Sequence, residues 1–535
     1  MKKYMIKYLS IIGILTIAVL LCRCSDDAYS EKYANPATIS EATCEKLMTG
    51  VLIQSNTWIT PVYGRYFGWG SSYVGKFAQV FGFPNTSGRY EADSYGDPSG
   101  HWNDFYKSLT TFRVLEDIYS KLSDADKTDN SVFLWISQIF IYQQLTEILG
   151  AWGDLPYTEA GTLYQTGDIK TSIPKFDTQE SLYTMMLNDL KTLSDNLANS
   201  TLSVNASGKL AAQDYIFHGD VMMWRRFANS LRLRLGMRLS SQGNLVNEGK
   251  AAVTEVLGNE TKYPLPTDNS NMCAFYSTSG PDLKWTEISV NDPGRIQGYA
   301  AHAHISRMVN NQDPRLEVTY ELAPQTGTYA GLDPSKPFNA LTDEGMLIRS
   351  CYSSIDSASF RMNNMLIPGL IFSASEIWFI KAEAYQRNIA PGNAEAAFKT
   401  AIDLSVKMYY DINSGATYKL PTPLPSQADI SAFANARWAA IGTEYATAEE
   451  AIAIQKWIHF GFLQEFEAWS ELRRTGLPRL TYATDNGSRC PNVPDRIKYP
   501  DNERLYNPNC PRTEDDDWYT VLSWAKTDWY NRVDL

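Results

Sequence analysis

Apolar residues recur along this chain at helical spacing in several blocks, separated by stretches in which that spacing is lost. In Trp102 to Leu122, Val132 to Leu149 and Ser181 to Leu197, apolar positions return every three or four residues, the period of one helix face. The third block follows Asp177 and Thr178, residue types whose side-chain oxygens cap helix N-termini. Met222 to Leu239 (MMWRRFANSLRLRLGMRL) has Trp224, Phe227, Leu231 and Leu235 on one face and Leu233 and Met237 on the opposite one. A helix apolar on two sides is sandwiched between neighbours, so its arginines are expected to reach carbonyls and carboxylates between helices. Glu376 to Arg387 and Asn393 to Met408 are joined by Asn388-Ile389-Ala390-Pro391-Gly392, which predicts an αα-hairpin. Ala382, Ala384, Ala396, Ala397 and Ala401 supply the small contact residues of a tetratricopeptide-like pair. Ala448 to Arg474 is the last long helical block, with an apolar stripe of Ile458, Phe462, Phe466, Trp469 and Leu472.

The remaining blocks, Thr60 to Gly100, Tyr263 to Arg295, Ala323 to Gly369 and Thr475 to Leu535, are rich in Gly, Pro, Asn, Ser and aromatics. Long irregular segments in a compact protein tend to be functional. No Pro/Ser-rich linker separates two halves. The pattern predicts a mainly α chain with one domain over residues 24–535. Its helical scaffold carries large irregular segments, inserted from about 60–100 and 263–369.

The N-terminus has its own logic. Lys2, Lys3 and Lys7 precede an apolar run from Tyr8 to Leu21, followed by Cys22-Arg23-Cys24-Ser25-Asp26-Asp27. The run is too short for a membrane span, which needs roughly 20 apolar residues, and reads as a secretory signal over residues 1–23. A cysteine closing such a signal is similar to the acylation site of bacterial lipoproteins, and Cys24 is the expected lipidated residue. Arg23 stands where a small residue is usual, which leaves Cys22 as the alternative.

Removing the first 23 of 535 residues leaves 512 and, with Lys2, Lys3, Lys7 and Arg23 gone, moves the net charge from −12 to −16. Nucleic acid, which calls for a basic face, is therefore not an expected partner, and a neutral ligand suits the chain better. No CxxC pair exists, so zinc-ribbon and thioredoxin-like readings lack support. Cys490 and Cys510 flank a Pro- and Asn-rich stretch and could close a loop or stay as thiols.

The catalytic motifs are missing. His101, His218, His302, His304 and His459 form no HExxH pair, and there is no GxSxG elbow or phosphate loop. Carboxylates are numerous, which keeps a surface glycan hydrolase as an alternative. Asp93, Asp97 and Asp104 lie in a Gly-rich stretch that would suit a structural calcium ion, but their spacing is not that of an EF-hand. No other cofactor or metal is expected. The positive signal is aromatic. Trp69, Tyr73, Tyr90 and Tyr95 lie among Gly, Ser and Asn, and Trp285 is followed by Asn291, Asp292 and Arg295. Sugar rings stack their C–H faces on Trp and Tyr and bond their hydroxyls to Asn, Asp and Arg. The same set can cradle a peptide backbone. Trp69, Tyr73, Tyr90, Tyr95, Trp285, Asn291 and Arg295 are thus the candidate ligand-binding residues.

Several segments, in order, carry a family likeness. Trp152-Gly153-Asp154-Leu155-Pro156-Tyr157 resembles a "GDVPY" turn, and Met222 to Arg238 an arginine-rich "W-x-x-FANSLRLRLA-R" helix. Glu376 to Ala384 is similar to "E-x-x-L-x-x-AEA", Phe466 to Arg474 to "FEG-x-R-x-x-DLRR", and Tyr499 to Glu503 to "P-x-NE". These are motifs of the SusD/RagB family of surface lipoproteins, and Ser25-Asp26-Asp27 resembles the acidic export tag of Bacteroidetes lipoproteins. Ala468 and Glu471 stand where the family has Gly and Asp, and the likeness is strongest to its second, more divergent branch. The resemblance implies a helical solenoid of tetratricopeptide-like hairpins with an irregular ligand lobe. It also implies a non-enzymatic, lipid-anchored protein of the outer membrane that captures a nutrient oligosaccharide and delivers it to a SusC-like TonB-dependent transporter. Some relatives of the RagB type take oligopeptides, which is the alternative ligand class.

Overall fold

The computed structural model describes residues 42–54, 59, 64–83, 88–90, 98–276, 298–334, 336, 342–343, 346–360, 364–417, 419–485, 490–511 and 517–530. It is mainly helical. Helix α1 spans Cys44–Gln54 and is followed by a π-helix at Gly64–Val74. Then come α2 (Pro98–Ser120), α3 (Asp124–Trp152), α4 (Gln179–Asn199), α5 (Val204–Gln213), α6 (Val221–Leu239) and α7 (Val246–Gly258). Strand β1 (Cys273–Phe275) precedes α8 (His302–Asn310), the two-residue strands β2 (Thr342–Asp343) and β3 (Met346–Leu347), and β4 (Gly369–Phe372). The chain continues as α9 (Ala374–Gln386), α10 (Ala394–Ser414), α11 (Gln427–Ala439), α12 (Ala448–Phe460), α13 (Glu465–Thr475) and α14 (Asp501–Tyr506).

Local chemistry sets the helix ends. Thr178 Oγ1 accepts the Ser181 N–H at 3.3 Å to start α4, as its residue type predicts. The neighbouring Asp177 carboxylate instead accepts the Tyr157 and Thr158 N–H groups, both at 2.9 Å, and so fixes the Gly153–Tyr157 turn. Ser373 and Asn393 cap the two helices of the α9–α10 hairpin, accepting from Glu376 N at 3.0 Å and Ala396 N at 2.9 Å. Between those helices Ala382, Ala384, Ala397 and Ala401 are buried, which brings the axes close. The Ala448–Arg474 block is two helices, α12 and α13, rather than one. Gly461 takes φ 45° between them, a left-handed conformation that glycine adopts without steric cost. Helices α1, α5, α7, α8, α11 and α14 fall outside the blocks that periodicity picks out.

The arginines of α6 act between helices, as the two-sided pattern implies. Arg232 meets Glu255 of α7 at 2.5 Å, Arg234 meets Glu376 of α9 at 2.6 Å, and Arg238 meets Glu467 of α13 at 2.6 Å. A continuous apolar core joins residues from Cys44 to Tyr530 across most of these helices. Strand β1 pairs antiparallel with β4 (Cys273↔Phe372, Phe275↔Gly369) and so anchors the end of the 263–276 segment to the start of α9. Cys490 and Cys510 are buried thiols rather than the two halves of a disulfide.

Candidate functional site

The two stretches expected to carry ligand leave the scaffold side by side. The Gly82 N–H donates to the Tyr299 carbonyl at 2.8 Å. A Cβ at Gly82 would stand 2.4 Å from the Ala300 carbonyl oxygen, so only glycine permits the contact. Segment 84–97 therefore departs next to the point where segment 277–297 returns. The return point is held firmly. Ala300 N–H donates to Ser353 O, Ile355 N–H to Gly298 O and Leu332 N–H to Ala300 O, each at 2.9 Å. At this root two half-buried rings, Tyr299 and Tyr352, meet edge to face with centroids 6.5 Å apart. Neither was among the candidates taken from the sequence. Their one signal is membership of, or adjacency to, the ring-rich irregular blocks.

Three of the predicted ligand residues belong to the core instead. Trp69 is 2% exposed, stacked between His101 (4.3 Å) and Trp152 (5.4 Å), with Phe466 at 6.5 Å. Tyr73 is buried against Trp69 and edge-on to Phe77 at 6.3 Å. Tyr90 is fully buried, and its hydroxyl donates to the Ala483 carbonyl at 2.7 Å while Arg89 N–H donates to Asp485 at 2.9 Å. The assignment of Trp69, Tyr73 and Tyr90 to the ligand is thereby corrected. The Gly- and Ser-rich stretch containing the first two is a π-helix docked on the scaffold, not a loop. Its legible signal was the spacing of four between Trp69, Tyr73, Phe77 and Phe81. Tyr95, Trp285, Asn291, Arg295 and the lipidation candidate Cys24 lie outside the described residues, as do Asp93 and Asp97. Asp104, the third calcium candidate, pairs with Lys107 at 2.8 Å. Among the described residues no group of three His, Cys, Asp or Glu side chains could hold a metal ion.

Buried charges fix the π-helix to the scaffold. Arg65 pairs with Glu147 of α3 and, at 3.2 Å, with Glu465 of α13. Burial raises the Glu147 carboxyl, but the Arg65 guanidinium and His101 beside it outweigh that and hold it down at about 2. Burial pushes His101 down to about 4, so this ring is a neutral stacking partner of Trp69 near pH 7. His304 and His459, also buried, are both pushed down to about 3. The network continues through Glu467, which meets Arg234 at 3.3 Å and Arg238 at 2.6 Å. Glu376, gripped by Arg234, also accepts from Gln464 at 3.1 Å. Such buried pairs strongly penalise removal of either partner, and here they tie the π-helix, α3, α6, α9 and α13 into one frame. The frame holds the loop roots in place, and its own histidines and carboxylates are committed to packing and ion pairs.

Comparison with known proteins agrees with this architecture. Residues 37–500 match the family model SusD-like_2, described as starch-binding and associating with the outer membrane. No curated protein sequence matches the chain. Among solved structures the chain is similar to a chitin-binding protein, with 23% identity, TM-score 0.68, and coverage of 89% of this chain and 99% of the other. It is similar to a SusD homologue of Bacteroides fragilis (20% identity, TM-score 0.65, coverage 90% and 99%). A chitin-binding SusD homologue of Flavobacterium johnsoniae gives 18% identity, TM-score 0.66, and coverage of 89% and 98%. At these identities the structural likeness is one of fold.

Proposed function

The chain belongs to the SusD-like family associated with the outer membrane, and from that premise we propose that it captures a neutral oligosaccharide at the cell surface and passes it to a SusC-like TonB-dependent transporter. A lipid on Cys24 holds it to the membrane. The observation that carries the reading is the convergence at Gly82 and Tyr299, where the segments that carry Tyr95 and Trp285, Asn291 and Arg295 meet a rigid frame at neighbouring points. Stacking surfaces beside amide and carboxylate groups suit sugars, and a chain at −12 suits a neutral ligand better than a polyanion.

The family description names starch, and two of the similar structures are chitin-binding proteins. Maltohexaose and chitohexaose are therefore the first ligands to titrate by calorimetry, alongside a tryptic peptide mixture, with product analysis on the same samples. One glycan should bind without turnover. Binding of the peptide mixture alone would move the chain to oligopeptide capture, and turnover of a bound glycan would make it a hydrolase. The Cys24→Ala protein should be folded and no longer retained on membranes. Retention of that variant, with loss in Cys22→Ala, would move the lipid to Cys22. A pull-down from membranes should recover an outer-membrane transporter.

A further inference from the structure

A preformed cleft of about 310 Å³ opens between the first turns of α2, the stretch Leu163–Pro174 and the α14 segment. Its first wall follows segment 84–97 in the chain, since α2 begins at Pro98. Its floor is Trp102, which is 3% exposed and wedged against Tyr106 (5.1 Å), Trp152 (5.5 Å) and Tyr499 (6.0 Å). Those supports are themselves hydrogen-bonded: Trp152 Nε1 donates to Lys498 O at 3.0 Å, and Tyr106 donates to Pro156 O at 2.8 Å. The two walls are tied together by Asn507, whose amide donates to Pro174 O at 3.2 Å and to Glu503 Oε1 at 3.1 Å.

At the rim stand two exposed groups with apolar faces, Tyr506 at 76% and Ile169 at 71% exposure. The same lining includes the exposed amides of Asn103 and Asn502, which have no recorded partner among the described residues. Glu503 is the one carboxylate among the described lining residues, which include no lysine or arginine. Burial pushes its carboxyl up, and the Asn507 amide that donates to it pulls it back down. The walls are helix turns and proline-bearing loops, with no strand edge to which a peptide backbone could add.

We infer that this cleft is a second saccharide subsite, in which one sugar ring lies against Tyr506 over the Trp102 floor and bonds its hydroxyls to Asn103, Asn502 and Glu503. Its occupant is a neutral pyranose unit, of a size the cleft admits once or twice. The inference rests on the glycan reading above and extends it. A long oligosaccharide engages both the loop roots and this cleft.

The test titrates maltohexaose and chitohexaose into the full chain and into Tyr506→Ala and the double variant Asn103→Ala/Asn502→Ala. All three positions are solvent-exposed, so folding should persist and is checked by thermal melting. Both variants should bind the hexasaccharide about tenfold more weakly, the scale of one lost aromatic or bidentate contact. Equal affinity in all three proteins overturns this subsite and leaves glycan capture standing. Failure of the parent chain to bind either glycan overturns both readings. Reduced recovery of a membrane partner with unchanged glycan affinity assigns the face to protein docking and overturns the subsite.

Discussion

The rings between Gly64 and Phe81 and those at Tyr299, Tyr352 and Tyr506 come from stretches of similar composition and end in opposite surroundings. In the first region Trp69 and Tyr73 sit on a π-helix, sealed by His101, Trp152 and Phe466 and pinned by Arg65. In the second, Tyr299 and Tyr352 are half-buried and Tyr506 is 76% exposed. The difference teaches that a run of aromatics among glycines does not announce a ligand. What decides is whether another element arrives to cover the rings. The first stretch is covered by α3 and α13, with an ion pair at each. The second group stands at loop roots and a cleft rim, where Tyr299 and Tyr352 are covered only in part and Tyr506 is exposed.

The contrast can be broken hardest at Trp69. Trp69→Ala should lower stability by about 3–5 kcal/mol, the usual cost of emptying a large core site, with a large drop in melting temperature. A loss of glycan affinity with unchanged melting would return Trp69 to the ligand. Arg65→Met strands Glu147 and Glu465 and should cost a similar about 3–5 kcal/mol in denaturant titrations.

The same frame should make the protein acid-sensitive. His101 holds at about 4 against an ordinary 6.5, so the unfolded chain takes up that proton first and stability falls as pH drops from 6.5 to about 4. Glu147 holds at about 2 against 4.5, so its contribution is complete above 4.5 and is lost as pH falls toward 2. The two windows act in one direction. Unfolding free energy measured from pH 7 to pH 3 should decline by a few kcal/mol in total, and His101→Asn should flatten the upper part of that curve. A flat profile would remove the buried histidine from the frame.

Smaller effects sharpen the other side of the comparison. Gly82→Ala forces a Cβ onto the Ala300 carbonyl and should cost about 1–3 kcal/mol. Its glycan affinity should fall at a temperature where the fold is intact, because the two roots are pushed apart. Tyr299→Ala or Tyr352→Ala should leave stability within about 1 kcal/mol and weaken glycan binding by about 1 kcal/mol. The opposite split, with stability lost and affinity kept, would make these rings core residues like Trp69.

Periodicity, capping residues and small-residue contacts made most of the helical scaffold legible. The α4 cap at Thr178, the Ala-lined α9–α10 hairpin and the inter-helix role of the α6 arginines all follow from residues within a few positions of one another. Gly461 was the missed break, because an apolar stripe continues across it while the backbone does not. The π-helix was missed because glycine and serine content outweighed a spacing of four. The candidate site was legible only as two irregular segments with aromatic and polar candidates, and three of its named rings proved to be core.

The sequence by itself determined what depends on neighbours along the chain: the mainly helical architecture, the helix ends, the acidic balance, the signal-like N-terminus and the family motifs. Only the tertiary structure decided which rings are sealed and which face outward, which carboxylate each buried arginine meets, and that Gly82 touches Tyr299. Those outcomes join residues up to hundreds of positions apart. Burial is a property of what packs on a residue from elsewhere, and local spacing carries no record of that partner.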